Sequence, residues 1–493
     1  MTDAADIMDR HMRAVTGLGD GSGIVVRVVA GPLTHRSDQQ LLASLVNLLC
    51  RMVGSVREIV LDTAELPLTI VLPSGAVPGL AFDRLRDFVH WAVGDAVRVT
   101  RTLGHDDAYT ISLDPAAPPE MVDLYVTGAG WIAWIGARQP DLVIGSDAPN
   151  PIGPWFAACL AAAEVFKRSR GLERGRFARD EGYALWDGAT GSLPTLRDGP
   201  SLEGCVLPPF YLVGGGAVGQ ALVALLGTSE IPSFIVTIDD DVHDRTNLNR
   251  CAIAGKDDVT HPKIDAVTRY RGLTGLAGVE FQGTLQQFHQ RGPLAEMPAE
   301  LHTKQANDQF DLIVSAVDKN TSRWDLQGLA PGRIIGGSTD QLTAKAMTYG
   351  EHADGPCLAC HNPREEDGAR RRVFEQKIRG LDEPAARALL NTLGINAAEA
   401  DAVLAYVRDA PVCGSLGDRV LRSLATTAPS EFSVSFVSLA AAILAFVRLI
   451  QISCFADTAP VRSVMSSMAF RNLSYADDGL AHDAKCPFCR GSR

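Results

Sequence analysis

Residues 210–263 constrain this chain more than any other stretch. Four apolar residues, Phe210 to Val213, run straight into Gly214, Gly216 and Gly219 at G-x-G-x-x-G spacing, and a helical pattern follows. An apolar strand that turns through glycines into a helix begins a βαβ unit, with backbone N–H groups and the helix N-terminus turned toward phosphate oxygens. Asp239 lies 239 − 219 = 20 residues past the last glycine, at the end of a second apolar run, Phe234 to Ile238. A carboxylate there can accept from ribose hydroxyls. Taken alone, the loop fits any nucleotide-binding Rossmann-like turn, a dehydrogenase included. Asp241, the run Asn247-Leu248-Asn249-Arg250 and Lys263 come next. Two cations and an amide on one nucleotide suit charge developing on a polyphosphate during attack at the α-phosphorus, so the order describes a pocket for ATP rather than for a dinucleotide.

With Asp318, in Ser315-Ala316-Val317-Asp318-Lys319-Asn320 after an apolar run, these residues resemble the ubiquitin-activating enzymes and their bacterial relatives, the ThiF/MoeB-like adenylyltransferases that act on small sulfur-carrier proteins. Asp239 and Asp241 stand where that family has D-x-D, residues 247–250 read as its N-L-N-R, and Lys263 falls at the usual distance beyond. The resemblance implies an α/β fold: a Rossmann-like adenylation domain with a central, mostly parallel sheet. It makes Gly214, Gly216, Gly219, Asp239, Asp241, Asn247, Arg250 and Lys263 the ATP-binding set. Asp239 would bind ribose, Asn247, Arg250 and Lys263 the phosphates, and Asp318 a Mg²⁺ ion. Cys251 departs from the pattern, since most relatives carry glutamine, and a longer insertion, about 272–309, separates Lys263 from Asp318.

A chain of 493 residues exceeds what one hydrophobic core usually supports, so two or three domains are expected. A net charge of −12 argues against a nucleic-acid partner. The first 13 residues mix acids with Arg10 and Arg13 and have no apolar core, which excludes a signal peptide and predicts a cytoplasmic protein. Residues 434–450 are the most apolar stretch, but Ser435, Ser438 and Arg448 interrupt it, so it reads as a buried core helix rather than a membrane span.

Ten cysteines in a cytosolic chain point to metal or nucleophile chemistry before disulfides. Cys357 with Cys360, and Cys486 with Cys489, form two C-x-x-C knuckles. Four thiolates at the corners of a tetrahedron make a closed zinc site, with redox chemistry of either pair as the alternative. The resembled family builds a zinc site this way, which leaves His361 a bystander. Cys413 lies in Pro411-Val412-Cys413-Gly414, a loop context that leaves a thiol accessible. Its place between the knuckles resembles the crossover loop carrying the thioester cysteine of activating enzymes, the alternative being a loop cysteine without a role. Cys50, Cys159, Cys205 and Cys454 sit among apolar neighbours and read as core fillers.

The organisation expected is an N-terminal α/β domain over 1–200, an ATP-binding core over 205–355, the first knuckle with a helical insertion over 356–412, and the cysteine loop, a core helix and the second knuckle over 413–493. In the insertion, Pro384 opens one helix that Gly394 ends, and Asn396 with Glu399 caps a second, Ala397 to Arg408. The pair reads either as a lid or dock for a carrier protein or as a hairpin that only packs. The N-terminal region alternates strand and helix patterns, with 124–135 and 142–144 read as strands, and Gly128-Ala129-Gly130 lacks a third glycine. Larger relatives pair an active adenylation fold with an inactive copy, so this region is either such a decayed copy or an unrelated α/β module. Arg179, in an arginine-rich run with Arg174 and Arg176, stands where relatives place an arginine that reaches across a dimer to the ATP. A solvated basic linker is the alternative.

The resemblance thus implies activation of a small ubiquitin-like protein with a C-terminal glycine, adenylated and then held as a thioester on Cys413 for a conjugating enzyme. The architecture resembles bacterial ubiquitin-like conjugation (Bil/Bub-type) operons, including those tied to antiviral defence, and leaves a homodimer open. Adenylation of a sulfur carrier for cofactor or siderophore synthesis is the alternative activity.

Overall fold

A computed structural model describes residues 23–75, 78–101, 107–172, 180–350, 356–362, 377–392, 395–408, 434–459, 465–479, 481–483 and 486–489. Cys413, Arg174, Arg176, Arg179 and Gly394 lie outside the described residues. The chain divides into two compact units: residues 1–362 with 433–493, and residues 363–432.

The larger unit holds two eight-stranded sheets. The first uses β1 (Ile24–Val29), β2 (Val56–Asp62), β5 (Arg98–Thr100), β6 (Tyr109–Ser112), β7 (Leu124–Ala129), β8 (Ile132–Gly136), β9 (Asp180–Ala184) and β10 (Ala189–Gly191). Two short strands, β3 (Pro67–Leu68) and β4 (Gly79–Leu80), pair with each other outside it. The second uses β11 (Phe210–Val213), β12 (Phe234–Asp239), β13 (Ala277–Gln282), β14 (Leu312–Ser315), β15 (Arg333–Asp340), β16 (Thr343–Tyr349), β17 (Met465–Ala469) and β18 (Ser474–Asp478). Both β11 and β14 are buried along their whole length, as strands covered on both faces by helices must be.

Counted in chain order within its own sheet, each set of strands lies in the order 3-2-1-4-5-6-7-8. The directions agree as well: four parallel pairings join the first five strands, and three antiparallel pairings add the rest. The helices follow suit. The first strands lead into α1 (Arg36–Arg51) and α4 (Ala217–Ser229), the second into α2 (Ala81–Val93) and α5 (Lys263–Thr274), and the sixth and seventh are separated by α3 (Ile152–Ser169) and α11 (Ser435–Cys454). The unit is a tandem pair of α/β folds with one topology, and the second is the Rossmann-like fold expected from the glycine loop.

α11 shows what the apolar stretch is for. It is long and apolar enough to cross a bilayer, yet 94% of its apolar window is buried inside the fold. A helix hydrophobic all round needs neighbours all round. Phe436 on α11 packs on Phe166 of α3, with ring centroids 5.8 Å apart, and Ser435 Oγ donates to Leu48 O of α1 at 3.2 Å. The two core helices are therefore the seam between the copies.

Sequence and structure differ in the first copy. Residues 124–135 form a hairpin rather than one strand, because Gly130 turns the chain at φ +55° between β7 and β8. Gly128 belongs to β7, where a Cβ would press 2.8 Å from Gly153 O, so this glycine pair serves close packing and a turn. Residues 142–144 are irregular, and Leu142 and Val143 are exposed. Cys454 is only partly buried, unlike Cys50, Cys159 and Cys205.

Within the second copy α6 (Leu285–Arg291) and α7 (Ala299–Ala306) fill the span between β13 and β14, and α8 (Asn320–Gly328) follows Asp318. In the smaller unit α9 (Glu383–Thr392) and α10 (Ala397–Arg408) enclose their own core of Ile378, Ala386, Leu390, Ile395, Val403, Leu404 and Val407. The second helix begins on the expected box: Glu399 N donates to Asn396 Oδ1 at 3.0 Å, and Asn396 N to Glu399 Oε2 at 3.1 Å.

Candidate active site

The second sheet reverses its winding between β11 and β14, and in open α/β sheets the crevice at the carboxyl ends of such strands is where ligands bind. Backbone bonds tie the strand ends together: Gly214 N donates to Ile238 O at 2.9 Å and Ala316 N to Val213 O at 2.8 Å. Two of the glycines answer steric demands. Gly214 sits at φ +103° and a Cβ on it would lie 2.7 Å from Ala316; one on Gly219 would lie 1.9 Å from Gly214 O. A Cβ on Gly216 would meet nothing within 4 Å, so at this position packing does not demand glycine; it is the N-cap of α4, where backbone N–H groups can face an anion.

Asp239 closes the loop from the next strand. Its Oδ2 accepts from Gly215 N at 2.6 Å and its Oδ1 from Asp241 N at 2.8 Å. Burial nevertheless raises its pKa, against the opposing pull of Lys263 and these two N–H groups. Lys263 opens α5, and its Nζ donates to Asp241 Oδ2 at 2.7 Å. Burial works against the ammonium, but Asp239 and Asp241 outweigh it and raise its pKa. The partly buried Lys263 stem thus ends in a charge held beside the glycine loop by the D-x-D pair. Asn247 is buried and its Oδ1 accepts from Asp244 N at 3.2 Å, shaping the turn that carries Arg250. Arg250 Nη1 donates to Thr246 O and to Asn249 Oδ1, both at 3.0 Å. Cys251 is fully buried, and burial raises its thiol pKa. Asp318 is exposed two residues beyond Ala316, whose backbone N is bonded to Val213 at the end of β11.

The fold thus brings Gly214, Gly216, Gly219, Asp239, Asp241, Asn247, Arg250, Lys263 and Asp318 to the carboxyl-end loops of one sheet. It also supplies two residues that sequence reasoning passed over. Gln220 Nε2 donates to Gly215 O and to His243 Nε2, each at 2.9 Å, so a buried amide and imidazole support the glycine loop from below. Burial holds the His243 pKa down at about 4. Nothing in the spacing of a lone glutamine and a lone histidine marked them; their signal is burial.

The four knuckle cysteines converge although 129 residues separate the knuckles: Cys357 Sγ lies 3.8 Å from Cys360 and 3.5 Å from Cys486, and Cys360 Sγ 3.6 Å from Cys489. All four sulfurs lie within 4.8 Å of one another. Zn–S bonds of about 2.3 Å at tetrahedral angles give S···S separations of about 3.8 Å, so the donor set and its spacing fit that ion. His361 is turned to Ala481 O at 2.7 Å and is not in the cluster. The cluster is joined to the site: Arg323 on α8 donates from Nη2 to Val317 O at 3.0 Å and from Nη1 to Asn362 Oδ1 at 2.9 Å, while Trp324 Nε1 donates to Asn362 O at 2.6 Å.

A tandem α/β protein with a nucleotide-type loop at its second switch point and a four-cysteine staple is the class that fold and site define. Residues 210–473 match the ThiF family, and the chain belongs to it. Residues 24–185, the first copy, match the BilD N-terminal domain. The SAMP-activating enzyme E1 of Haloferax volcanii is 26% identical over 170 residues, which cover 34% of this chain and 57% of that protein. The solved structure of E. coli MccB with MccA is 15% identical and covers 57% of this chain and 66% of its own, at a TM-score of 0.33, too distant to bear on the fold.

Proposed function

We propose that the protein is an ATP-dependent activating enzyme for a small ubiquitin-like protein that ends in glycine. The observation carrying this reading is the lysine and carboxylates gathered at the glycine loop, Lys263 to Asp241 at 2.7 Å and Asp239 to Gly215 N at 2.6 Å, on a ThiF-family fold. In the reaction, a C-terminal carboxylate oxygen attacks the α-phosphorus of ATP, the bond to the bridging oxygen breaks and pyrophosphate leaves, giving an acyl-adenylate. Asp239 holds the ribose. Asn247, Arg250 and Lys263 bind the phosphates and stabilise charge on the departing pyrophosphate. Asp318 would hold Mg²⁺, which screens the polyphosphate when bound. The thiolate of Cys413 then attacks the acyl carbon and AMP leaves, so that the product is a thioester ready for a conjugating enzyme. The four cysteines hold zinc as a structural staple.

The match of the first copy to the BilD N-terminal domain supports a Bil-type ubiquitin-like conjugation system, and a cytoplasmic place in antiviral defence is the setting we propose for it. Strand register sets Thr63 and Pro115 of the first copy against Asp239 and Asp318, which supports a non-catalytic first copy. The test is ATP–pyrophosphate exchange with a candidate glycine-terminated protein encoded nearby. Wild type is expected to exchange, and Lys263→Ala to lose at least about a hundredfold. Exchange unaffected by Lys263→Ala would reject the site. A thiol-sensitive adduct that disappears in Cys413→Ala would establish the thioester step.

A further inference from the structure

The two copies meet at the very turn that carries Arg250. Arg51, the last residue of α1 in the first copy, is fully buried. Its Nη1 donates to Leu248 O at 2.8 Å, and its Nη2 to Ala254 O at 2.9 Å and Ala252 O at 3.2 Å. Asn47, one turn earlier, accepts from Arg51 Nε at 2.7 Å and donates to Ala252 O at 3.1 Å. One planar fork therefore spans both ends of the segment 248–254, with Arg250 between its anchor points. α2 presses on the continuation. A Cβ on Gly255 would lie 2.4 Å from the Trp91 ring, Arg269 lies over that ring at 5.2 Å, and Lys256 Nζ lies 3.1 Å from His90 Nε2. Arg51, Asn47 and Arg250 also line one internal cavity.

Burying a guanidinium costs several kcal/mol unless its donors are well placed. An irregular turn with carbonyls pointing away from its own N–H groups needs such a donor, because water is excluded. We propose that Arg51 is a positioning residue of the nucleotide site: through it the first copy fixes the backbone from Leu248 to Ala254 and so sets where Arg250 and Asn247 meet the phosphates. The first copy then acts in the chemistry without touching ATP. This rests on the nucleotide reading of Arg250 and Asn247 given above.

The experiment is calorimetric titration of the full chain with Mg²⁺-ATP, with melting curves on the same samples, for wild type, Arg51→Met, Arg51→Lys and Arg36→Met. Arg36 is the control, because it also joins the copies, at Glu230 and Thr228 O, but away from this turn. Arg51→Met is expected to weaken ATP binding about tenfold by displacing the phosphate contacts. Arg51→Lys, a point charge that cannot span three carbonyls, should recover part of that loss, and Arg36→Met should bind as wild type. Wild-type affinity in folded Arg51→Met overturns the proposal, and so does an equal loss in Arg36→Met. If Arg51→Met shows no melting transition, wild-type affinity in folded Arg51→Lys overturns it instead. A wild type that binds no ATP overturns the nucleotide reading itself, and that result is distinct from any outcome among the variants.

Discussion

The two α/β copies share strand order, strand direction and helix placement, and they differ where chemistry would happen. Strand register aligns them residue by residue, since Val29 pairs with Asp62 and Ser112 as Val213 pairs with Ile238 and Ser315. Beyond those strand ends, Ala30-Gly31-Pro32 stands against Gly214-Gly215-Gly216, Thr63 against Asp239, and Pro115 against Asp318. Pro32 has no N–H to offer an anion, Thr63 has no charge, and Pro115 cannot ligate a metal. What both copies retain is packing. Gly31 at φ +63° abuts Asp114, and one register position earlier in the second copy Gly214 at φ +103° abuts Ala316, so each turn packs closely on the neighbouring strand end. A fold needs its topology and close approaches, and a site needs only a few side chains at the strand ends, which are the first to change when the demand is lifted.

The sharpest way to break this comparison is at the staple, for which the described residues of the first copy hold no counterpart. Cys357→Ser should abolish binding of about one zinc per chain, measured by elemental analysis. It should also lower stability by several kcal/mol, within the roughly 10 kcal/mol that structural zinc supplies to small domains. Unchanged melting would confine the staple to a local role. Next comes the buried histidine beneath the glycine loop. The folded chain binds a proton at His243 only near pH 4, whereas the unfolded chain binds it near 6.5. Stability from this group is therefore complete above pH 6.5 and falls as pH drops toward 4, by up to roughly 3 kcal/mol. Denaturant titrations of wild type and His243→Gln at pH 7 and pH 4.5 should show a smaller difference for the variant.

A smaller effect separates the copies directly. Asp239→Ala should weaken ATP binding about tenfold, and Thr63→Ala should leave it unchanged, with one ATP per chain throughout. A second equivalent of ATP would show that the first copy still binds. Smallest is Glu230→Ala, which removes the exposed ion pair with Arg36 between the copies. A loss under about 1 kcal/mol is expected, and less in high salt.

Much of the second copy was legible because its signals are local. The apolar runs at 210–213 and 234–238 and the glycines between them each depend on neighbours in sequence, as does the cap at Asn396 and Glu399 in the smaller unit. The paired C-x-x-C knuckles were legible by ligand chemistry despite their distance. The shared topology of the first copy was not legible at that level, because strand order is a property of long-range pairing and Ala30-Gly31-Pro32 carries no fingerprint. Residues 124–135 misled for a related reason: both arms of that hairpin are largely apolar, so Gly130, one of two glycines in the run, did not stand out as its turn. Arg51 gave no sign of its role. A cation in the last turn of a helix ordinarily complements the helix dipole at the surface, and only the packing of the second copy against α1 buries it.

The seam between α3 and α11 has a consequence for dosage. Where two such folds are carried on separate chains, their meeting depends on concentration, and dilution separates them. Here the covalent connection from β10 to β11, residues 192–209, makes the encounter intramolecular, with an effective concentration that dilution cannot lower. Each chain released from the ribosome carries one cradle and one brace in fixed ratio. Specific activity should accordingly stay constant from low to high concentration of the chain.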